Sequence, residues 1–293
     1  KNIENLSYEQ LEQIKIAEED RKAREAIMMR ENKLRRILRE GKTSVATRLW
    51  STWPLYTESL GATGNFDYME FVAEYAPFTQ ADLENMARAA ELYEMGSMIK
   101  VDFQNRFYVA QKAVASGFQA VNFADHRTPQ EVRDSINSIR PLVEGTDGWY
   151  GCPNRRFISS PNGVTQKEHI ARLNDIVLCF MIEKKEAVDH IEEICSIPGV
   201  DMVQFGPADY SMSLGWNRAE HEAEWKAAER HVIETALRHG VQPRCEISSL
   251  DQAQYYIDLG VRHFSIGDQL AKLKAFWNGE GREMRDIARA LEK

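Results

Sequence analysis

The fold class this sequence predicts is a (β/α)8 barrel, the TIM-barrel form of α/β architecture, and three observations predict it. Eight short β-like runs alternate with amphipathic helical stretches, the pattern of a parallel sheet whose strands are joined by helices. Eight such units suit a closed barrel better than an open doubly wound sheet. The turn after the first run reads Ser51-Thr52-Trp53-Pro54, without the Gly-x-Gly-x-x-Gly loop that the open alternative favours.

Taken in order, residues 7–40 read as a helix, with Ser7 and Gln10 in a capping-box pattern and Gly41 as its stop. Leu34, Ile37 and Leu38 form an apolar stripe near its end. The earlier part is heavily charged and reads as an exposed arm, an oligomer contact or a solvated helix. Residues 1–43 are thus an N-terminal helical arm, and residues 44–293 the barrel domain. Strands are expected at 45–50, 66–72, 98–101, 120–123, 176–182, 202–205, 241–245 and 263–266. Between them lie helical stretches such as 80–93, 129–139, 184–195, 219–239 and 250–259. Gly117, Gly199, Gly240 and Gly260 each stand between a helix and the next strand, where a left-handed residue belongs. Residues 145–163 are too long and too aromatic for a connector and read as a lid or binding loop.

Charge excludes some partners. Lys and Arg number 37 against 45 Asp and Glu, and the net charge of −8 argues against nucleic acid or an anionic membrane, which demand a basic surface. No apolar run approaches the ~18 residues of a membrane span. The charged residues 1–40 lack the apolar segment of a secretion signal, so a cytoplasmic protein is expected. Cys152, Cys179, Cys195 and Cys245 form no Cys-x-x-Cys pair, which removes zinc-ribbon and thioredoxin readings and leaves small buried side chains.

Active sites of such barrels lie at the C-terminal ends of the strands, so the residues ending each run are the candidates. They are Arg48 and Trp50, Glu74 to Pro77, Lys100 and Asp102, Asp125 and His126, Glu183, Asp209, Arg244 and Glu246, and Gly267-Asp268. Burying an unpaired ion is costly. Glu183 ends the apolar run 177–182, and Asp209 follows 202–205 and a Gly-Pro turn. Carboxylates from adjacent strand ends suit a hard divalent cation such as Mg²⁺ or Mn²⁺. The same positions also suit ordinary acidic residues at helix N-termini. Arg244 and Glu246 share one face of the seventh strand and are expected to pair with each other.

Four short motifs follow one another here: Met181-Ile182-Glu183, then Ile197-Pro198-Gly199-Val200-Asp201, then Phe205-Gly206-Pro207-Ala208-Asp209-Tyr210-Ser211, then Leu214-Gly215. In that order and spacing they resemble the HpcH/HpaI aldolase family, the metal-dependent class II pyruvate aldolases, which include macrophomate synthase. Looser similarity runs from about Ser44 to Leu291. The resemblance implies that Glu183 and Asp209 hold a divalent metal, Mg²⁺ or Mn²⁺ with Co²⁺ as a further possibility. That metal chelates the carboxylate and keto oxygen of pyruvate and stabilises its enolate as a Lewis acid. Trp50 and Ala208 are implied as lining of the substrate pocket. A homo-oligomer, a hexamer or trimer, is implied, with C-terminal helices exchanged between subunits.

The departures fall on the other half of the site. The family's general-base His is Tyr75 in this chain, the Asp partnering that His falls near Ala115 or Ser116, and the Arg holding the keto oxygen is Lys100. A tyrosine, with an ordinary pKa near 10, suits donating a proton rather than abstracting one. Its alternative role is that of a lining aromatic. Lys100 offers a point charge where Arg offered a fork. His126 is a candidate replacement imidazole, its alternative a histidine of the helix-leading turn. Arg155 and Arg156 are candidates for a second substrate carboxylate. The expected function is a metal-dependent carbon–carbon lyase acting on a small 2-oxo acid. A decarboxylase, hydratase or other lyase is the alternative, and a ligand-binding barrel without turnover a further one.

Overall fold

The structure, a computed structural model, describes residues 6–28, 31–152 and 164–292. All eight expected strands form: β1 (Ser44–Leu49), β2 (Tyr68–Val72), β3 (Gly96–Val101), β4 (Ala120–Phe123), β5 (Val177–Ile182), β6 (Met202–Phe205), β7 (Gln242–Ile247) and β8 (His263–Asp268). They pair in sequence order, each parallel to the next, and β8 closes on β1. The predicted barrel is the observed fold. Gly117, Gly199, Gly240 and Gly260 all have the positive φ expected of them.

Alternation along each strand sorts side chains to two faces. Outward residues such as Phe71, Ile99, Phe123, Phe180 and Val203 pack with the surrounding helices into the main core. Inward residues build layers. Nearest the N-terminal end, Ala46, Tyr68, Met98, Ala120, Cys179 and Met202 meet Leu34. Above them lies a buried polar layer. Arg244 reaches across to Glu70 at 2.5 Å, donates to the Tyr68 hydroxyl at 2.9 Å and also bonds Gln204. Asn122 donates to Glu70 at 2.9 Å. Burial raises the Glu70 carboxyl, but Arg244 and Asn122 outweigh it and hold the carboxyl below its usual range. The expected Arg244–Glu246 pair does not form. Glu246 pairs instead with Arg48, at 2.9 Å. Residues two apart on a strand point the same way but stand side by side along it, so each finds its partner elsewhere round the barrel.

The single helix expected over residues 7–40 is two, Tyr8–Met28 and Lys33–Arg39. Asn32 caps the second: its Oδ1 accepts from the Arg35 N–H at 3.0 Å. Its Nδ2 donates to the carbonyls of Gln119 at 2.6 Å and Asp175 at 2.9 Å. Arg35 forks onto Asp201 at 2.5 and 2.7 Å. These bonds seat Lys33–Arg39 under the barrel, with Leu34 and Leu38 turned into its N-terminal end. The Ser7–Gln10 capping box forms as expected, and Gly41 ends the second helix with a φ of 62°.

After β8 come the helices Gln269–Asn278 and Glu280–Ala290, which leave Phe276, Trp277, Met284 and Ile287 exposed. Among the described residues no helix is long and apolar enough to cross a membrane. Cys179, Cys195 and Cys245 are buried and Cys152 is exposed; all four are free thiols.

Candidate metal centre

A cavity of about 540 Å³ lies over the C-terminal ends of the strands. Among the residues singled out in the sequence it brings together Tyr75, Lys100, Glu183, Ala208 and Asp209, with Arg48, Glu246, Gly267 and Asp268. Gln204 and Arg244 of the buried polar layer also line it.

Glu183 follows β5 directly and is 1% exposed. Its Oε1 accepts from the backbone N–H of Asp125 at 2.9 Å. Its Oε2 lies toward Gly206, where an added Cβ would stand 2.7 Å away, so glycine at this turn is what makes room for the carboxylate. Burial raises the Glu183 carboxyl to about 7; Asp125 and Asp209 push the same way, and Lys100 and the Asp125 N–H oppose them. Asp209 sits in the first turn of the helix Pro207–Ser213, beside the end of β6. Two carboxylates thus face one cavity from adjacent strands, one of them a buried anion only partly compensated by Lys100 and the Asp125 N–H.

Lys100, on β3, is 9% exposed and lies 2.7 Å from Glu74 Oε2. Burial works against its charge, but Glu183, Glu74 and Glu246 together outweigh it, so the ammonium is held charged well above neutral pH. Tyr75 is exposed, with its ring stacked on Trp50 at 6.3 Å. Burial of the hydroxyl, and then the charge and hydrogen bond of Glu74, raise its pKa above the ordinary value. At neutral pH the residue is a phenol and a proton donor. Trp50 is fixed in turn by its indole N–H, which donates to Asp268 at 3.1 Å.

His126 is not brought to this cavity. It is wholly buried, with Phe103, Phe123 and Phe180 edge-on around it. One ring nitrogen lies 2.9 Å from the Ala124 carbonyl and the other 2.6 Å from Ser135 Oγ. Burial, aided by Arg106, lowers its pKa to about 3, so it stays neutral. The residue is a packed core histidine, neither a surface turn residue nor an imidazole within reach of the carboxylates. Arg155 and Arg156 lie outside the described residues.

Several groups at the site carried no assigned role in the sequence. Glu74 holds Lys100, and Arg48 bridges Glu246 at 2.9 Å and Asp268 at 3.5 Å. Asp125 donates to Glu183, and Lys184 pairs with Asp125 at 2.6 Å. Their only signal was opposite charge at neighbouring strand ends, which fixes no particular pairing.

Among the described residues no group of three or more His, Cys, Asp or Glu stands ready to hold a metal. Glu183 and Asp209 alone offer oxygen ligands, and a hard cation that keeps waters and open positions fits such a pair better than zinc in a closed site. The raised Glu183 carboxyl and the Gly206 cradle agree with that fit.

These features define a (β/α)8 barrel with paired carboxylates over its strand ends. The chain belongs to the HpcH/HpaI aldolase/citrate lyase family, whose model matches residues 73–279. It is 27% identical over 209 residues to a 2-keto-3-deoxy-L-rhamnonate aldolase of Escherichia coli O6:K15:H31, covering 71% of this chain and 74% of that one. Macrophomate synthase shares the fold with a TM-score of 0.76 at 19% identity, over 88% of this chain and 91% of that one. The citrate lyase beta subunit of M. tuberculosis, complexed with oxaloacetate and magnesium, superposes with a TM-score of 0.51 at 12% identity, over 78% of this chain and 93% of that one.

Proposed function

We propose that this protein is a divalent-metal-dependent carbon–carbon lyase acting on a small 2-oxo acid, with Mg²⁺, Mn²⁺ or Co²⁺ held by Glu183 and Asp209. The observation that carries the reading is the meeting of Glu183, Asp209 and Lys100 in one cavity. The keto-acid aldolase relative and the magnesium complex of the citrate lyase subunit support it. Held by Glu183 and Asp209, a divalent cation would supply Lewis acidity to the substrate. Lys100 adds a fixed positive charge for the oxyanion that develops. Tyr75, kept protonated, hands a proton to the carbanion or leaving group. Ala208 lines the pocket wall, and Trp50 backs Tyr75 by stacking on its ring. The exposed apolar residues of the last two helices support a homo-oligomer, trimeric or hexameric, in which those helices pack on a neighbouring subunit.

Mn²⁺ calorimetry together with turnover of 4-hydroxy-2-oxo acids tests this. Glu183→Gln and Asp209→Asn should each abolish Mn²⁺ binding and turnover in a folded protein. Undiminished Mn²⁺ affinity in both variants would sink the metal assignment.

A second reading is favoured by Tyr75: a hydroxyl with a raised pKa is a poor base. On that reading the reaction enters the enolate by loss of a carboxylate or by cleavage of a pre-formed bond. Proton NMR of pyruvate in D₂O, with enzyme and Mg²⁺, separates the two. Slow methyl deuteration fits the second reading, and rapid deuteration reveals a competent base and favours the aldolase.

A further inference from the structure

At the end of β4 the chain makes a turn that L-residues resist. Asp125 has a φ of 63°, in the left-handed region. Two contacts accompany it. Lys184 Nζ lies 2.6 Å from Asp125 Oδ1, and the Asp125 N–H donates to Glu183 Oε1 at 2.9 Å. Lys184 is 9% exposed, so its ammonium depends on the Asp125 carboxylate for compensation. A closed ring results. It runs by covalent bonds from Glu183 to Lys184, by an ion pair to Asp125, and by a hydrogen bond back to Glu183. On the other side, the absent Cβ of Gly206 leaves the space that Glu183 Oε2 occupies. One oxygen of the carboxylate is tied, and the other lies in the space beside Gly206.

We propose that Asp125 and Lys184 are positioning residues, which hold the left-handed turn so that its N–H ties Glu183 Oε1 and Oε2 alone is presented to the cation. This rests on the metal reading above and deepens it by naming the ligating oxygen and the device that selects it. Outer-shell partners that orient a ligand commonly set metal affinity in this way. The tied oxygen also limits the ways the carboxylate can turn, which leaves more of the cation's positions to water and substrate.

Charge and positioning make opposite predictions. Acting through charge alone, loss of the Lys184 ammonium tightens cation binding, because like charge is removed. Acting through position, Lys184→Met releases Asp125 from the strained turn and weakens Mn²⁺ binding by ~10-fold or more, the usual range for an outer-shell partner. Adding Asp125→Gly should then restore binding, because glycine enters the left-handed region unaided and keeps the N–H. Charge alone predicts that this second change weakens it.

The experiment is Mn²⁺ titration of the full chain, followed by the electron paramagnetic resonance of the free ion, with thermal melts of each variant. Should Lys184→Met not fold, Asp125→Ala against Asp125→Gly asks the same question. Both remove the carboxylate, and only glycine tolerates the turn, so the alanine variant should bind Mn²⁺ more weakly. Equal affinities there, or tighter binding in Lys184→Met, overturn the proposal. Glu183→Gln is the control: if it binds Mn²⁺ like the parent, the metal assignment itself has failed. If it loses Mn²⁺ while Lys184→Met does not, the positioning role alone is wrong.

Discussion

Replacing Glu183 by Gln should make the metal-free protein more stable, and the size of the gain follows from the site. The carboxyl stands at about 7 in the folded chain against 4.5 for an ordinary glutamate, chiefly because it is buried. A carboxyl whose pKa rises on folding contributes stability that is complete below the unfolded value and disappears as the pH climbs through the folded one. A displacement from 4.5 to about 7, at about 1.4 kcal/mol per pH unit, is roughly 3 to 4 kcal/mol. Glu183→Gln has no proton to lose there and still accepts the Asp125 N–H. The variant should therefore match the parent near pH 4.5 and exceed it by roughly 3 to 4 kcal/mol at pH 8. Urea unfolding in EDTA across that range reads the difference, since other titrating groups are common to both proteins. Mg²⁺ at a hundredfold excess over its Kd should stabilise the parent by about 2.7 kcal/mol, closing most of that gap, and leave the variant unmoved. A variant no more stable than the parent at pH 8 would refute the claim that Glu183 is a buried anion awaiting a cation.

Gly206→Ala places a methyl 2.7 Å from Glu183 Oε2 and 2.8 Å from its Cβ; Mn²⁺ affinity should fall by ~10- to 100-fold in a calorimetric titration, with the barrel's circular dichroism unchanged. Leu34→Ala should lower unfolding free energy by about 2–5 kcal/mol in urea, because it empties the plug at the barrel's N-terminal end. Tyr75→Phe should lower kcat by about 10²-fold with little change in KM, as for loss of a positioned proton donor; an unchanged kcat leaves Tyr75 as a lining ring.

The barrel was legible because its signals are local. Apolar runs of strand length, helical stretches between them and glycines at the joints all sit within a few residues of what they specify. The break before Asn32 was not legible, because what rewards it is distant. The carbonyls that Asn32 bonds belong to residues 87 and 143 positions away in the chain. His126 was misplaced for the same reason: its turn reads as polar, while the phenylalanines that bury it come from β4, β5 and the turn after β3.

The site divides along the same line. The half proposed to hold a metal lies within one contiguous stretch, 183 to 215, where motif and spacing could be read directly. Its other half is made by pairs between strands, and there the structure adds an argument that the substitution of Tyr75 alone does not give. One carboxylate, Glu74, acts on both residues that replace the family's acid/base machinery. With Glu183 it keeps Lys100 charged, and with burial it keeps Tyr75 protonated. A histidine at position 75 would accept a proton near neutral pH; the phenol beside Glu74 can only give one. Tyr75 and Lys100 thus offer positive charge and a proton, and neither of them is a base at neutral pH. Electrophilic help of that polarity stabilises an enolate once formed and quenches it afterwards, but does not draw a proton from a methyl group. On the proposed function the chemistry consistent with these residues is therefore one in which a bond to carbon breaks first and Tyr75 delivers the proton second.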